Sequence, residues 1–270
     1  MRHIFLLILL LTNSLLHAQK YGLSLEAGQS FGILSKDLTD AAFPSQTSYT
    51  LGSGQSQALS FYIFPDSSNW YFTSGFEWYR GAQSITAFQH GNDSISYSSN
   101  ARTLSSLRLQ AQLAYRFDLK YLKLDIRAGV VLPVISKNTE EQYVRDSNAF
   151  ASTTVDLKNY TSVGFKGGLT ISKQLVKGIE FFVNSDIVLL NTQVKSSKVK
   201  SYYDSDNRTL ETEYPEVAYR EIQYRKDPTL VRNNESVLPA LFKKNQATDK
   251  LTYTQSVSSI NIKLGFLFLF

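Results

Sequence analysis

A histidine, an aspartate and a serine stand close together once in this chain, in the run His90-Gly-Asn-Asp93-Ser94. A serine nucleophile needs an adjacent base to take its proton, and histidine is the usual choice. Three polar residues in a Gly- and Asn-containing run read better as a solvated loop than as a catalytic set. Two carboxylates, Glu26 and Glu77, could share acid–base work, but each belongs to a set rich in lysine and arginine that would hold it ionised. A third candidate, Asp204-Ser-Asp206-Asn207, opens like a calcium loop. Arg208 then stands where a ligand is needed and Pro215 replaces the closing glutamate, so the resemblance to a metal site fails. No Gly-rich phosphate loop joins a strand to a helix, and the basic residues are interspersed with acids, so neither nucleotide nor nucleic acid is an expected ligand. The chain reads as non-enzymatic, with no cofactor and no metal.

The elements that carry these residues are strands. Leu122, Leu124, Ile126, Ala128, Val130 and Leu132 alternate with Lys123, Asp125, Arg127, Gly129 and Val131, which places an apolar face opposite a charged one. Leu107 to Phe117 repeats the pattern, and the residues between the two runs form a hairpin turn. The same period predicts strands over 20–34, 56–64, 70–81, 104–117, 121–133, 161–173, 178–191 and 251–270. Their apolar faces include Tyr21/Leu23/Leu25, Phe165/Leu169/Ile171 and Ile260/Ile262/Leu264/Phe266/Phe268/Phe270. The connections alternate in length. Those at Pro65–Asn69, Asp118–Lys120 and Gln174–Lys177 are short, whereas 35–55, 82–103, 134–160 and 192–250 are long. An even number of alternating strands with short turns at one end and long loops at the other is the pattern of an outer-membrane β-barrel.

Composition agrees with that pattern and excludes other classes. Among the 270 residues there is no cysteine, so a disulfide framework, a thiolate metal site, a cysteine nucleophile and a lipidated N-terminal cysteine are all ruled out. A mean hydropathy of −0.19 is too low for a bundle of transmembrane helices. Met1-Arg2-His3, the apolar run Ile4–Leu11 and the break before Ala18 have the layout of a secretory signal peptide over residues 1–18. Its removal leaves 19–270 as the barrel domain, lowers the net charge from +5 to +4 and leaves His90 as the only histidine.

A soluble eight-stranded barrel also alternates, with the apolar face turned inward. Two features favour the inverted, membrane form. Trp70 and Trp78 lie eight residues apart, ~26 Å along a strand and ~20 Å of height after tilting. They fit the two interfacial girdles of one apolar band, joined by Tyr121, Phe268 and Phe270. The chain also ends in an alternating run up to Phe270, and water would give three exposed phenylalanines little reason to be there.

On the opposite face, Glu26, Glu77, Arg108, Arg127, Lys166, Asp186 and Lys263 fall some six to nine residues up their strands and share a middle layer. Arg116, Lys123, Asp125 and Glu180 form a second layer nearer the short turns. An eight-stranded barrel is just wide enough for side chains to fill it, and charges buried there must pair to offset desolvation. The expected result is a salt-bridged plug. A narrow pore for small ions or solutes is the alternative, disfavoured because pores usually carry one dominant sign of charge.

The whole pattern resembles the small outer-membrane barrels of the OmpA/OmpX type. Gly164-Phe-Lys-Gly-Gly168 ahead of Leu169-Thr-Ile, with the Tyr/Ser/Asn-rich loops, is most similar to the PorT-like barrels of Bacteroidota. That resemblance implies location in the outer membrane, contact with its lipid and with the barrel assembly machinery during insertion, and little about activity. The family includes accessory secretion factors, adhesion and structural proteins, and a few enzymes, so an outer-membrane enzyme acting on lipid or peptide is a second alternative for this chain.

The longest connection, about 192–250, carries 11 basic and 9 acidic groups. Thr209–Glu213 and Val217–Arg225 alternate about Pro215-Glu216, which predicts a hairpin above the membrane. Tyr202, Tyr203, Tyr214, Tyr219 and Tyr224 make this loop a candidate surface for a protein partner, since aromatic anchors give contact area at low entropic cost.

Overall fold

The computed structural model describes residues 18–33, 51–65, 68–90, 96–146, 149–231, 233–235 and 243–270. The expected signal peptide, apart from Ala18, lies outside the described residues, as do Asp93, Ser94 and the side chain of His90.

Alternation closes eight strands into a ring. In spatial order they are β1 (Ala18–Gly32), β2 (Gly54–Pro65), β3 (Trp70–Gly81), β5 (Ser96–Asp118), β6 (Lys123–Asp146), β8 (Gly164–Val176), β9 (Ile179–Leu189) and β14 (Ser259–Leu269), which pairs back onto β1. Every pair in the ring is antiparallel. The seam is completed at the last residue, where Phe270 and Tyr21 exchange backbone hydrogen bonds of 3.0 and 3.1 Å. The connection from β8 to β9 is the two-residue turn Lys177-Gly178, whose second position has φ +83° and so favours glycine.

The apolar face points outward. Leu25, Leu59, Phe76, Leu113, Ile126, Leu169, Ile187 and Leu264, one from each strand, are 43–55% exposed. A water-soluble monomer rarely exposes a contiguous apolar patch above a few hundred Å². An apolar belt on every strand of a closed ring requires hydrocarbon around it, and closure leaves no strand edge unpaired within the belt. Ser24, Glu26, Thr73, Glu77, Gln112, Arg127, Thr170 and Lys263 on the alternate phase are buried inside. The protein is thus an eight-stranded antiparallel transmembrane β-barrel.

Two of the expected long loops, 82–103 and 134–160, are mostly strand, and a third, 192–250, begins as one. β5 begins eight residues before its predicted start at 104, and β6 runs thirteen past its predicted end at 133, so the β5–β6 ladder extends from Asp118↔Lys123 to Tyr97↔Arg145. β4 (Ser84–His90) pairs with the outer half of β5, β7 (Ala149–Asn159) with the outer half of β6, and β10 (Asn191–Asp204) with β7. β11 (Glu221–Arg225) adds to β10, and β12 (Thr248–Leu251) runs parallel to β11. β13 (Thr254–Ser256) pairs with the start of β10. A sheet in the order β4-β5-β6-β7-β10-β11-β12 therefore rises from the barrel at the end opposite the short turns. Ser/Thr-rich runs such as Ala149–Thr154 hide the extended conformation of these strands from a periodicity search.

The predicted hairpin about Pro215-Glu216 is absent. Leu210–Glu213 and Val217–Arg220 each form a single helical turn, and only Glu221–Arg225 is extended. Leu210-Glu-Thr-Glu places two acids in a first turn, where they complement the helix dipole, and Pro215 ends that turn.

Candidate functional site in the barrel lumen

The lumen is packed in layers, each built from facing strands. Nearest the short turns, Arg116 on β5 lies directly opposite Asp125 on β6. Their contact is bidentate, with Nε–Oδ1 2.8 Å and Nη2–Oδ2 2.9 Å, the strong geometry for a guanidinium–carboxylate pair. Arg116 Nη1 lies 3.5 Å from Glu180, and Lys123 also donates to Glu180. Tyr71 donates its hydroxyl to Asp125 Oδ2 at 2.7 Å.

The middle layer centres on Glu77. Its carboxylate meets Arg108 Nη1 at 3.3 Å, Lys166 Nζ at 3.2 Å and, closest, the ammonium of Lys263. Asp186 accepts from Arg127 at 3.2 Å and from Lys166 at 3.1 Å, so Lys166 bridges the two carboxylates. Glu26 accepts instead from Ser24, Ser60 and the amide of Asn184 at 3.3–3.5 Å. Gln110 accepts from Lys166 at 2.6 Å and donates to Ser60 at 3.0 Å, tying the two groups together. Both proposed layers are thereby brought together, and Glu26 joins through hydroxyls and an amide rather than a cation.

Apolar and aromatic side chains pack around the charges in two clusters. On the turn side, Tyr62, Tyr71, Ala114, Phe182 and Leu267 form a buried cluster, with Phe64 and Leu269 packed against it. The Arg116 guanidinium lies 5.2 Å from the ring centres of both Phe64 and Tyr71. On the other side, Leu51, Tyr79, Leu104, Val131, Val188, Leu190 and Val257 form a second cluster. The Tyr79 ring covers Arg108 at 4.0 Å, and its hydroxyl donates to the carbonyls of Leu51 and Ser53. These two seals were missed by the charge pattern. Their signal is an apolar residue on the lumen phase of the alternation, as at Tyr62 between Phe61 and Ile63, or Leu267 between Phe266 and Phe268.

Space in the lumen is won by glycine. A Cβ on Gly168 would lie 2.2 Å from the Ser185 carbonyl and 2.6 Å from Asp186 Oδ1, and one on Gly265 would lie 2.5 Å from the Phe182 ring. The Gly-Phe-Lys-Gly-Gly run thus carries Lys166 into the ion network and leaves room beside Asp186. Chemically, the arrangement holds the lumen shut. Glu77 and Asp186 are engaged by cations, and an ion moving through would have to displace several buried pairs and pass two apolar clusters.

Of the interfacial aromatics, Trp70, Trp78, Tyr121 and Phe270 are more than half exposed and Phe268 somewhat less. Trp70 packs edge-on to Tyr115 at 4.9 Å, and Tyr115 in turn to Phe117 at 4.7 Å, an aromatic group at the turn end of the band. The tyrosines of the long connection divide. Tyr203 and Tyr219 are exposed, with the Tyr203 ring 5.6 Å from that of Phe150; Tyr202 packs edge-on to Tyr214 at 5.6 Å and Tyr224 to Tyr253 at 5.5 Å.

Asp204 closes its own turn. Its Oδ1 accepts from the backbone N–H groups of Asp206 and Arg208, and its Oδ2 from the Tyr202 hydroxyl and Arg208 Nε. Burial pushes the carboxyl's pKa up, but these bonds outweigh it and hold the group below the usual aspartate value. Burial, and then the bond to Asp204, push the Tyr202 hydroxyl up to about 12. Arg208 occupies the place a calcium ion would need, and among the described residues no group of three or more His, Asp or Glu side chains is placed to hold a metal.

No family model and no curated protein matches the chain. Solved structures do resemble it. A major outer membrane protein from Thermus thermophilus aligns over 93% of this chain and 99% of its own, at 10% identity and a TM-score of 0.41. Ail, the attachment invasion locus protein of Yersinia pestis, solved with the heparin analogue sucrose octasulfate, aligns over 93% and 98%, at 9% identity and a TM-score of 0.33. The barrel itself is defined by this chain's own register and faces.

Proposed function

We propose that this protein is a non-enzymatic component of the cell outer membrane. In this reading its sealed barrel anchors a rigid sheet outside the cell, and the sheet holds a protein partner. The observation that carries the proposal is the sheet β4-β5-β6-β7-β10-β11-β12, which rises beyond the apolar belt and carries exposed Tyr203, with exposed Tyr219 on the helical turn Val217–Arg220 that leads into β11. A rigid scaffold with exposed aromatic anchors suits protein contact, because little conformational entropy is lost on binding. The plugged lumen supports the same reading, since the barrel then serves as a support and not as a conduit. The resemblance to PorT-like barrels of Bacteroidota extends the proposal to an accessory place in a secretion or assembly system.

The test is affinity purification of tagged protein after mild detergent extraction, comparing wild type with Tyr203→Ser/Tyr219→Ser. The reading expects a defined companion with wild type and at least a tenfold loss with the variant. A monomer without companion contradicts it. An enzyme would instead lose an activity of crude outer membranes in His90→Ala, which this reading expects to behave as wild type.

A further inference from the structure

The barrel and the outer sheet part company along β6. Residues 123–131 of β6 pair with β8 and residues 138–146 with β7, so 132–137 keep a strand neighbour only on the β5 side. A cavity of about 60 Å³ sits at this split, lined among others by Ser106, Arg108, Ser136, Asn159, Tyr160 and Thr192. Leu104, Leu190 and Val257 of the upper seal form its apolar wall.

Three of the lining residues carry buried polar atoms that lack a hydrogen-bond partner: Arg108 Nη2, Thr192 Oγ1 and both amide atoms of Asn159. Arg108 is 1% exposed and Thr192 4%. Arg108 Nε is held by Ser106 at 2.9 Å and Nη1 by Glu77, so its fork is fixed in place with one nitrogen to spare. Orphaned buried donors are costly, because the water they gave up is not replaced. The charge balance points the same way. Among the described lumen residues the cations are Arg108, Arg116, Lys123, Arg127, Lys166 and Lys263, and the anions Glu26, Glu77, Asp125, Glu180 and Asp186. The surplus cation falls in the middle layer, to which Arg108 belongs, and an uncompensated buried charge is strongly disfavoured.

We propose that this cavity is a binding site for one small anion of carboxylate size. Arg108 and the Thr192 hydroxyl donate to it, the Asn159 amide completes its shell, and it neutralises the surplus charge of the plug. A volume of about 60 Å³ leaves room for a small carboxylate such as formate. Such an anion would lock the barrel to the base of the outer sheet, since its ligands come from β5, β7 and β10.

The test is urea unfolding of the purified full chain in detergent micelles, titrated with sodium formate against sodium gluconate at constant ionic strength. A ligand that binds only the folded state stabilises it in proportion to occupancy. Well above half-saturation, each tenfold rise in formate should raise the folded-to-unfolded ratio about tenfold, while gluconate, a far bulkier carboxylate, should not. Thr192→Val or Asn159→Leu, both of near-native shape, should weaken the apparent formate affinity at least tenfold. Formate and gluconate indistinguishable across the titration, as water alone in the cavity would give, overturns the proposal. So does a formate effect unchanged in both variants, which would place the anion elsewhere.

Discussion

Glu77 on β3 and Arg108 on β5 occupy directly opposite positions in the strand register, and each is only 1% exposed. The pair is the hinge of the lumen network, because Lys166 and Lys263 converge on the same carboxylate from β8 and β14. Four strands of the ring are thus tied through one side chain.

Removing that carboxylate leaves three buried cations without their shared anion. Glu77→Ala should destabilise the barrel by about 3–5 kcal/mol, read as a lower urea midpoint in detergent micelles. Lys198→Ala breaks only an exposed pair with Glu221 and should change stability by less than about 1 kcal/mol. Equal effects of the two variants would show that the lumen pairs carry no special weight.

The same network governs conduction. Wild-type protein in planar bilayers should give no stepwise conductance, because buried ion pairs and two apolar clusters fill the lumen. Tyr79→Ala combined with Arg108→Ala removes both the ring and the cation beneath it and should produce measurable steps. Steps in wild type would replace the plug with a pore.

Gly168 and Gly167 are neighbours with opposite surroundings. A methyl on Gly168 collides with the Ser185 carbonyl and Asp186, whereas one on Gly167 meets only the Arg127 carbonyl at 3.6 Å, an ordinary contact. Gly168→Ala should cost about 1–3 kcal/mol or more, as overpacking does, and Gly167→Ala should be nearly neutral in the same unfolding assay.

The turn at Asp204 should respond to acid. Because its folded pKa lies below the unfolded value of about 3.9, its stabilising contribution is complete above that value and is lost as pH falls through the folded pKa. Limited digestion with pepsin across pH 5 to 2 should find the 204–213 segment protected at the upper end and cut progressively below about pH 4. Asp204→Asn should be cut throughout.

How much of this was legible in the sequence follows from what surrounds each residue. A bilayer outside and a narrow polar lumen inside force a strict period of two, so the lower strands and all eleven lumen charges stand out in the chain. Above the bilayer that constraint disappears. Ser96–Thr103 and Ala149–Asn159 are strands with mixed faces, and their composition is that of loops. Tyr62, Tyr71, Phe182 and Leu267 were hidden for a different reason. Flanked by outward apolar residues, they look like part of the lipid face until the register places them inside. Asp204 imitated a calcium ligand because a carboxylate that caps its own turn and one that binds a metal share the same local spacing.

The most direct test of the inverted barrel uses the absence of native cysteine. Single cysteines at Leu113, Ile126 and Leu169, each about half exposed on the outer face, can carry a nitroxide label in intact outer membranes. Electron paramagnetic resonance then compares collisions with dissolved oxygen and with a water-soluble nickel chelate. A lipid-facing belt predicts strong oxygen contact and negligible nickel contact at all three positions. Strong nickel contact at these positions would place the apolar face in water and contradict the account.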